Sequence, residues 1–168
     1  MPEEYEDPER SDNLNDPPSF FPYESEAPFR DTANNGEPIE VRVDGVYATE
    51  ANGQVSRFVV LTDGERELPI GIAPFEAQAI ASEHEGSRYD RPLTHDLMRN
   101  IMLKTGQELN RVIIDDIWNN VFYAKLYIQS NGEEIAIDAR PSDAIALALR
   151  FEAPIFVAES ILDMTFEE

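Results

Sequence analysis

The chain of 168 residues has room for one ordinary domain, or for one domain and a tail, but not for two full cores. Its 42% hydrophobic and 28% charged residues sit near the globular average and exclude a wholly disordered or collagen-like polymer. Its 34 acidic and 13 basic side chains leave a net charge of -21, which excludes a general nucleic-acid coat protein.

There is no cysteine, so disulfides, thiolate metal sites and cysteine nucleophiles are excluded, and two histidines leave little for a zinc site. No apolar run approaches the roughly 18 to 20 residues that span a bilayer, and the opening MPEEYEDPER is acidic where a signal peptide would be basic and then apolar. The expectation is a soluble, cytoplasmic protein with no membrane partner. Lys104 and Lys125 are the two lysines, the other eleven bases being arginine. High acid with scarce lysine points to a salt-loving source, because self-repulsion is tolerable where salt screens it.

Residues 1–38 carry eleven acids, two bases and seven of the twelve prolines, without apolar periodicity. That mixture predicts a disordered, acidic tail. Its Phe20, Phe21, Tyr23 and Phe29 offer the alternative of docking on the domain or on a partner. The aliphatic periodicity begins at Ile39, and residues 39–168 are expected to form the domain.

An internal repeat organises that domain. LPIGIAPFEAQAIA (68–81) falls on IAIDARPSDAIALA (135–148) at a shift of 67, matching Ile70 with Ile137, Pro74 with Pro141, Glu76 with Asp143 and a run of alanines. At the same shift Asn52-Gly53 meets Asn119-Asn120, and Asp63-Gly64 comes within one residue of Asn131-Gly132. These dipeptides tolerate the positive φ of tight hairpins. Each repeat, about 39–106 and 107–168, therefore reads as three antiparallel strands and then helices. IEVRVDGVYA, VSRFVVLT and ERELPIGI are the strands of the first; NRVIIDDIW, VFYAKLYIQ and EEIAID are those of the second.

The helices open at Pro74 and Pro141, since proline suits the first helical position, and Glu76 and Asp143 two residues later are placed to cap them and to meet the helix dipole. A further helix has Thr94 as its cap, Leu97, Met98, Ile101 and Met102 on one face, and Gly106 beyond its end. APIFVA (153–158) reads as one more short strand and SILDMTF as a shorter partner helix. The expected fold is α+β, a duplicated three-strand plus two-helix unit whose strands merge into one twisted, barrel-like mixed sheet flanked by helices.

Two stretches can carry chemistry. DARPSD (138–143) sets Asp138, Arg140, Ser142 and Asp143 at a strand-to-helix junction, as an anion or metal site would. Its structural alternative is Asp143 as a capping acid and Arg140 paired to Asp138. The first repeat has Gly71, Ala73 and Phe75 where the second has Asp138, Arg140 and Ser142, so Glu76 and Asp143 read as structural and the other three as specialised. SRYDRPLTHDLMRN (87–100) is a rare net-positive stretch, with Arg88, Arg91 and Arg99 and with His95 and Asp96 in a first helical turn. His95 there serves as acid or base, or else is merely exposed on a capped helix. His84 reads as a favourable cation at a helix C-terminus, and Phe122, Tyr123 and Tyr127 read as packing residues of a two-faced strand. No Gly-rich phosphate loop, GxSxG elbow or HExxH helix occurs.

From about Ile39 to Asp163, LPIGIAPFEAQAIA, RPLTHDLM and IDARPSDAIALALRFEAPIFVAE closely resemble, in order and spacing, the bifunctional nuclease domain family. Gly71 and Ala73 stand where relatives often carry tryptophan and glycine. The resemblance implies a compact duplicated α+β domain, a small homo-oligomer such as a dimer, and the degradation of DNA and RNA reported for some plant members. The family's recurring polar positions fall on Glu76, Thr94, His95, Asp96, Asp138, Arg140, Ser142 and Asp143.

On that basis the expected activity is phosphodiester hydrolysis of a nucleic-acid substrate. His95, Asp96, Asp138, Arg140, Ser142 and Asp143 form the catalytic set, and Arg91, Thr94, Arg99 and Arg140 bind substrate. Asp138, Asp143 and Glu76 would hold Mg²⁺ or Mn²⁺, with no organic cofactor. The competing expectations are a non-enzymatic module for a small anion or a protein, and a purely structural homo-oligomer. For the salt-adapted surface, the melting temperature should rise between dilute buffer and molar KCl; equal melting in both would refute it.

Overall fold

A computed structural model describes residues 35–164. The expected tail, with Phe20, Phe21, Tyr23 and Phe29, lies as far as residue 34 outside the described residues. The first meander is β1 (Pro38–Ala51), β2 (Gln54–Thr62) and β3 (Glu67–Ile72), followed by α1 (Pro74–His84) and α2 (Thr94–Lys104). The second is β4 (Gln107–Trp118), β5 (Val121–Ser130) and β6 (Glu133–Ala139), followed by α3 (Pro141–Phe151), β7 (Ile155–Ala158) and α4 (Glu159–Asp163).

The turn chemistry sets the hairpins. Asn52 and Gly53 join β1 to β2 with φ of 52° and 75°, Asn119 and Asn120 join β4 to β5 with 49° and 61°, and Asn131 and Gly132 join β5 to β6 with 51° and 84°. Left-handed backbone at both central positions matches the strand twist, and asparagine and glycine adopt it at low cost. Between β2 and β3 the turn is built instead on Asp63, whose Oδ1 accepts the N–H groups of Glu65 and Arg66 at 2.9 and 2.7 Å. Those bonds hold its carboxyl down at about 2.

The strands form one seven-stranded sheet in the order β3-β2-β1-β7-β4-β5-β6, antiparallel throughout except where β7 runs parallel to β4. β1 is shared: Pro38 to Val41 pair with β7, and Arg42 onward with β2, the β2 pairing being interrupted by a bulge at Asp44. The expected barrel does not form. β3 and β6 stay apart as edges, because β7 joins the two meanders in the middle of the sheet rather than at its ends. The two edges differ: β3 carries Pro69, which guards an edge strand, whereas β6 has no proline and leaves Ile135 and Ile137 exposed.

The element order repeats, with α1 and α3 both eleven residues long and both opened by proline. The likeness stops short of the expected two-helix unit, for α2 has eleven residues and α4 five. The sequence PSDAIALALRF is apolar almost all round, the pattern of a fully enclosed helix, and eight of the eleven residues of α3 are buried. Ile145 and Leu147, wholly enclosed, each contribute about 1.5–3 kcal/mol by leaving water. Ala144, Ala146 and Ala148 keep the surface of α3 low, and Ala77, Ala79 and Ile80 of α1 are buried in the same core region.

On α2 the expected apolar face is not the buried one. The helix seats itself through His95 and Met102, leaving Leu97, Met98 and Ile101 exposed. Among the described residues no helix is long and apolar enough to cross a membrane.

Candidate active-site groove

The first turns of α1, α2 and α3 meet at one end of the molecule, beside β5 and β6, around a groove of about 520 Å³. Pro74 and Pro141 begin α1 and α3 in the same way, and neither helix has a side-chain cap. The acids expected to cap them are turned elsewhere. Asp143 Oδ1 lies 3.0 Å from His95 Nε2, and its Oδ2 accepts from Arg140 Nε at 2.7 Å. Arg140 Nη1 donates to Glu76 Oε1 at 2.9 Å. Four side chains from three helix starts thus form one chain of contacts, Glu76 to Arg140 to Asp143 to His95.

Burial pushes the Asp143 carboxyl up, but hydrogen bonds and charge from Arg140 and His95 outweigh it and leave the group below the usual carboxylate range. Asp143 is therefore an acceptor, so His95 Nε2 carries the proton they share. Arg140 spends two of its five N–H donors on the carboxylates, and its side chain is 66% exposed. The remaining donors are free to take a phosphate or carboxylate.

Asp96 has a different task. Burial raises its carboxyl, but the Leu93 N–H, donating to Oδ2 at 2.8 Å, and Arg150 Nε, donating to Oδ1 at 2.6 Å, bring it below its ordinary value. Leu93 is the cap residue of α2, so Thr94 is the first helical residue rather than the cap. The Arg150 side chain is only 3% exposed, and its Nη1 also donates to the carbonyls of Ala79 and Ala146 at 3.0 and 2.9 Å. One guanidinium thereby ties α1, α2 and α3 together.

The groove gathers Glu76, Thr94, His95, Asp138, Arg140 and Asp143, but not all the expected residues. Asp138 is at the end of β6, opposite Lys125 in the strand register, and Arg140 pairs with Glu76 and Asp143 instead of Asp138. Ser142 is buried in the first turn of α3. Arg99 Nε donates to the Arg150 carbonyl at 2.8 Å and its guanidinium lies 5.7 Å from the Phe151 ring, which makes it a packing residue; Arg91 is exposed outside the groove lining. His95 is buried, not the exposed histidine of a simple capped helix.

Elsewhere, His84 ends α1 as expected, Phe122 packs on the core, Tyr123 is partly exposed, and Arg111 stacks 4.1 Å from the Tyr127 ring. The sequence reading missed Arg150. The signal was present, since an arginine in a helix otherwise apolar on all sides must be buried and paired.

The arrangement does not fit the expected metal site. Glu76 and Asp143 already share a cation, the Arg140 guanidinium, and among the described residues no three His, Asp or Glu side chains converge as ligands. What the groove holds is an oriented histidine beside a guanidinium with spare donors, the equipment of acid–base chemistry on an anionic ester.

A buried histidine bonded to a helix-start aspartate lies in the groove of this α+β domain, and comparison with known proteins gives the family. The family model of the bifunctional nuclease domain matches residues 59–167. An uncharacterised protein of Mycobacterium tuberculosis is 42% identical over 123 residues, 73% of each chain. Bifunctional nuclease 1 of Oryza sativa subsp. japonica is 28% identical over 97 residues, 56% of this chain and 29% of that one. Bifunctional nuclease 2 of Arabidopsis thaliana is 27% identical over 93 residues, 54% and 28%. The chain belongs to the bifunctional nuclease domain family, and it spans under a third of the plant proteins.

Since the Asp96 and Asp143 carboxyls titrate lower in the folded protein than in the unfolded chain, their stabilisation is full above about pH 4 and is lost as pH falls through their folded values. Asp96→Ala leaves Arg150 buried without its counter-charge and should destabilise by about 3 kcal/mol at pH 7. Thermal melts should show that gap closing toward pH 3; a gap of constant size would rule out the ionic pair as its source.

Proposed function

We propose that this chain is a nuclease that hydrolyses phosphodiester bonds in the groove, with His95, Asp143 and Arg140 as the working residues. The observation that carries the reading is the His95–Asp143–Arg140 contact chain, because it joins an oriented base to an anion-binding cation in one pocket. Membership of the family and the names of the plant relatives support it.

Asp143 accepts the Nε2–H bond and holds the His95 ring so that Nδ1 takes a proton from the attacking water. The water oxygen bonds to phosphorus as the ester P–O bond breaks, the leaving oxygen takes a proton from solvent, and His95 returns to solvent the proton it took. Arg140 donates to the non-bridging oxygens, where negative charge grows in the transition state. Glu76 fixes the other side of the guanidinium. Asp96 and Arg150 set the start of α2 rather than touch substrate, since Asp96 accepts from the Leu93 N–H and from Arg150. A homo-oligomer belongs to the same proposal, with the open edge of β6 and the exposed Leu97 and Ile101 as its surface; light scattering in molar salt should then give a mass above 19.0 kDa per particle, and 19.0 kDa would count against it.

The test uses labelled single-stranded DNA, duplex DNA and RNA in molar salt with Mg²⁺, Mn²⁺ or EDTA, comparing the wild type with identically purified His95→Ala and Asp143→Asn. Both substitutions should reduce cleavage by about 10²–10⁴-fold while circular dichroism stays unchanged. Cleavage should continue in EDTA, and strict metal dependence would return Asp138, Asp143 and Glu76 to the role of ligands. Equal cutting by all three proteins, or none by any, would favour the non-enzymatic binding module.

A further inference from the structure

We propose that the groove accepts nucleic acid one unpaired nucleotide at a time, its base lying on an apolar wall headed by Phe75 and its phosphate on Arg140. This inference rests on the nuclease reading and names the form of substrate that the groove fits.

The side chains lining the groove are of two unlike kinds. One is the ionic cluster; the other is apolar, made by Phe75, Leu93, Met98 and Ile137. Phe75 is 84% exposed, more than any other large hydrophobic residue described, and it is not part of the core cluster. Its place is specific. It follows Pro74 in the first turn of α1 and precedes Glu76, which holds Arg140. The ring and the Arg140 guanidinium line the same groove, with Glu76 next to the ring in sequence and bonded to the guanidinium, so one nucleotide can offer its base to the first and its phosphate to the second. An aromatic face offers stacking to any base, so the wall recognises an unpaired base without reading its identity.

Charge sets the limit of one. A protein of net charge -21 cannot track a polyanion along its surface, and Arg140 is the one arginine or lysine among the residues lining the groove. Glu76, Asp138 and Asp143 surround it and would repel the flanking phosphates. The volume of about 520 Å³ lies within the roughly 300–1,000 Å³ of small-ligand sites. A duplex keeps both faces of each base stacked and would have to open to reach Phe75.

The experiment is calorimetric titration of the full chain with phosphorothioate-linked oligothymidylates of one, two, four and eight residues, in salt concentrations at which circular dichroism shows the folded protein. Affinity should rise to the dinucleotide and then level, log K against log salt should have a slope of about -0.7, the value for one phosphate on a single strand, and a duplex of the same length should bind at least about tenfold more weakly. Phe75→Ala should weaken binding about tenfold and Phe75→Trp should restore it, with KM for single-stranded substrate changing and kcat preserved. Affinity that grows with every added residue, a slope steeper than about -2, or equal binding by Phe75→Ala would overturn the proposal. Cleavage that depends on His95 but ignores Phe75 and strandedness would sink this inference alone. Absence of both binding and cleavage would sink the nuclease reading with it.

Discussion

The enclosure of α3 is the constraint on which the rest of the molecule hangs. Eight of its eleven residues leave water, so sheet and helices must close around it on every side, and its ends are the places where polar groups can emerge. Those ends carry the charged contacts between the helices. At its start Arg140 and Asp143 reach Glu76 of α1 and His95 of α2; near its finish Arg150 reaches back to Asp96 and to the carbonyl of Ala79. The hydrophobic effect fixes where the helix lies, and the charged pairs at its two ends fix how its neighbours turn relative to it.

Much of this could be read from the amino acids. The hairpins, the proline-opened helices and their order follow from local rules that depend on backbone preference, and the structure honours them at Asn52-Gly53, Asn119-Asn120, Asn131-Gly132, Pro74 and Pro141. Closure into a barrel failed because it is a question of which strand lies beside which, and the four residues of β7 answer it by pairing with β1 on one side and β4 on the other. No local propensity encodes that choice.

The site was legible in its cast and not in its roles. His95, Asp143 and Arg140 were all candidates, yet Asp143 was read as a capping acid because its spacing from Pro141 suits a cap. A carboxylate two residues into a helix can either turn back to the free N–H groups or turn outward to a neighbour, and the presence of His95 decides between them. Asp96 and Ser142 were candidates as well, and their side chains are occupied or enclosed: Asp96 accepts from the Leu93 N–H and from Arg150, and Ser142 is buried. Adjacency along a helix puts successive side chains about 100° apart, so neighbours in sequence seldom share a task.

The position of β7 has a consequence for the order of events in synthesis. Ile39 pairs with Val157, so the first strand of the sheet waits roughly a hundred residues for its second neighbour, and β4 waits for the same strand. Each meander can assemble by itself from close-range contacts, but the two remain separate half-sheets with raw inner edges until Ile155–Ala158 is released to join them. The groove, which needs α1, α2 and α3 gathered at one place, is therefore among the last features to exist on a nascent chain.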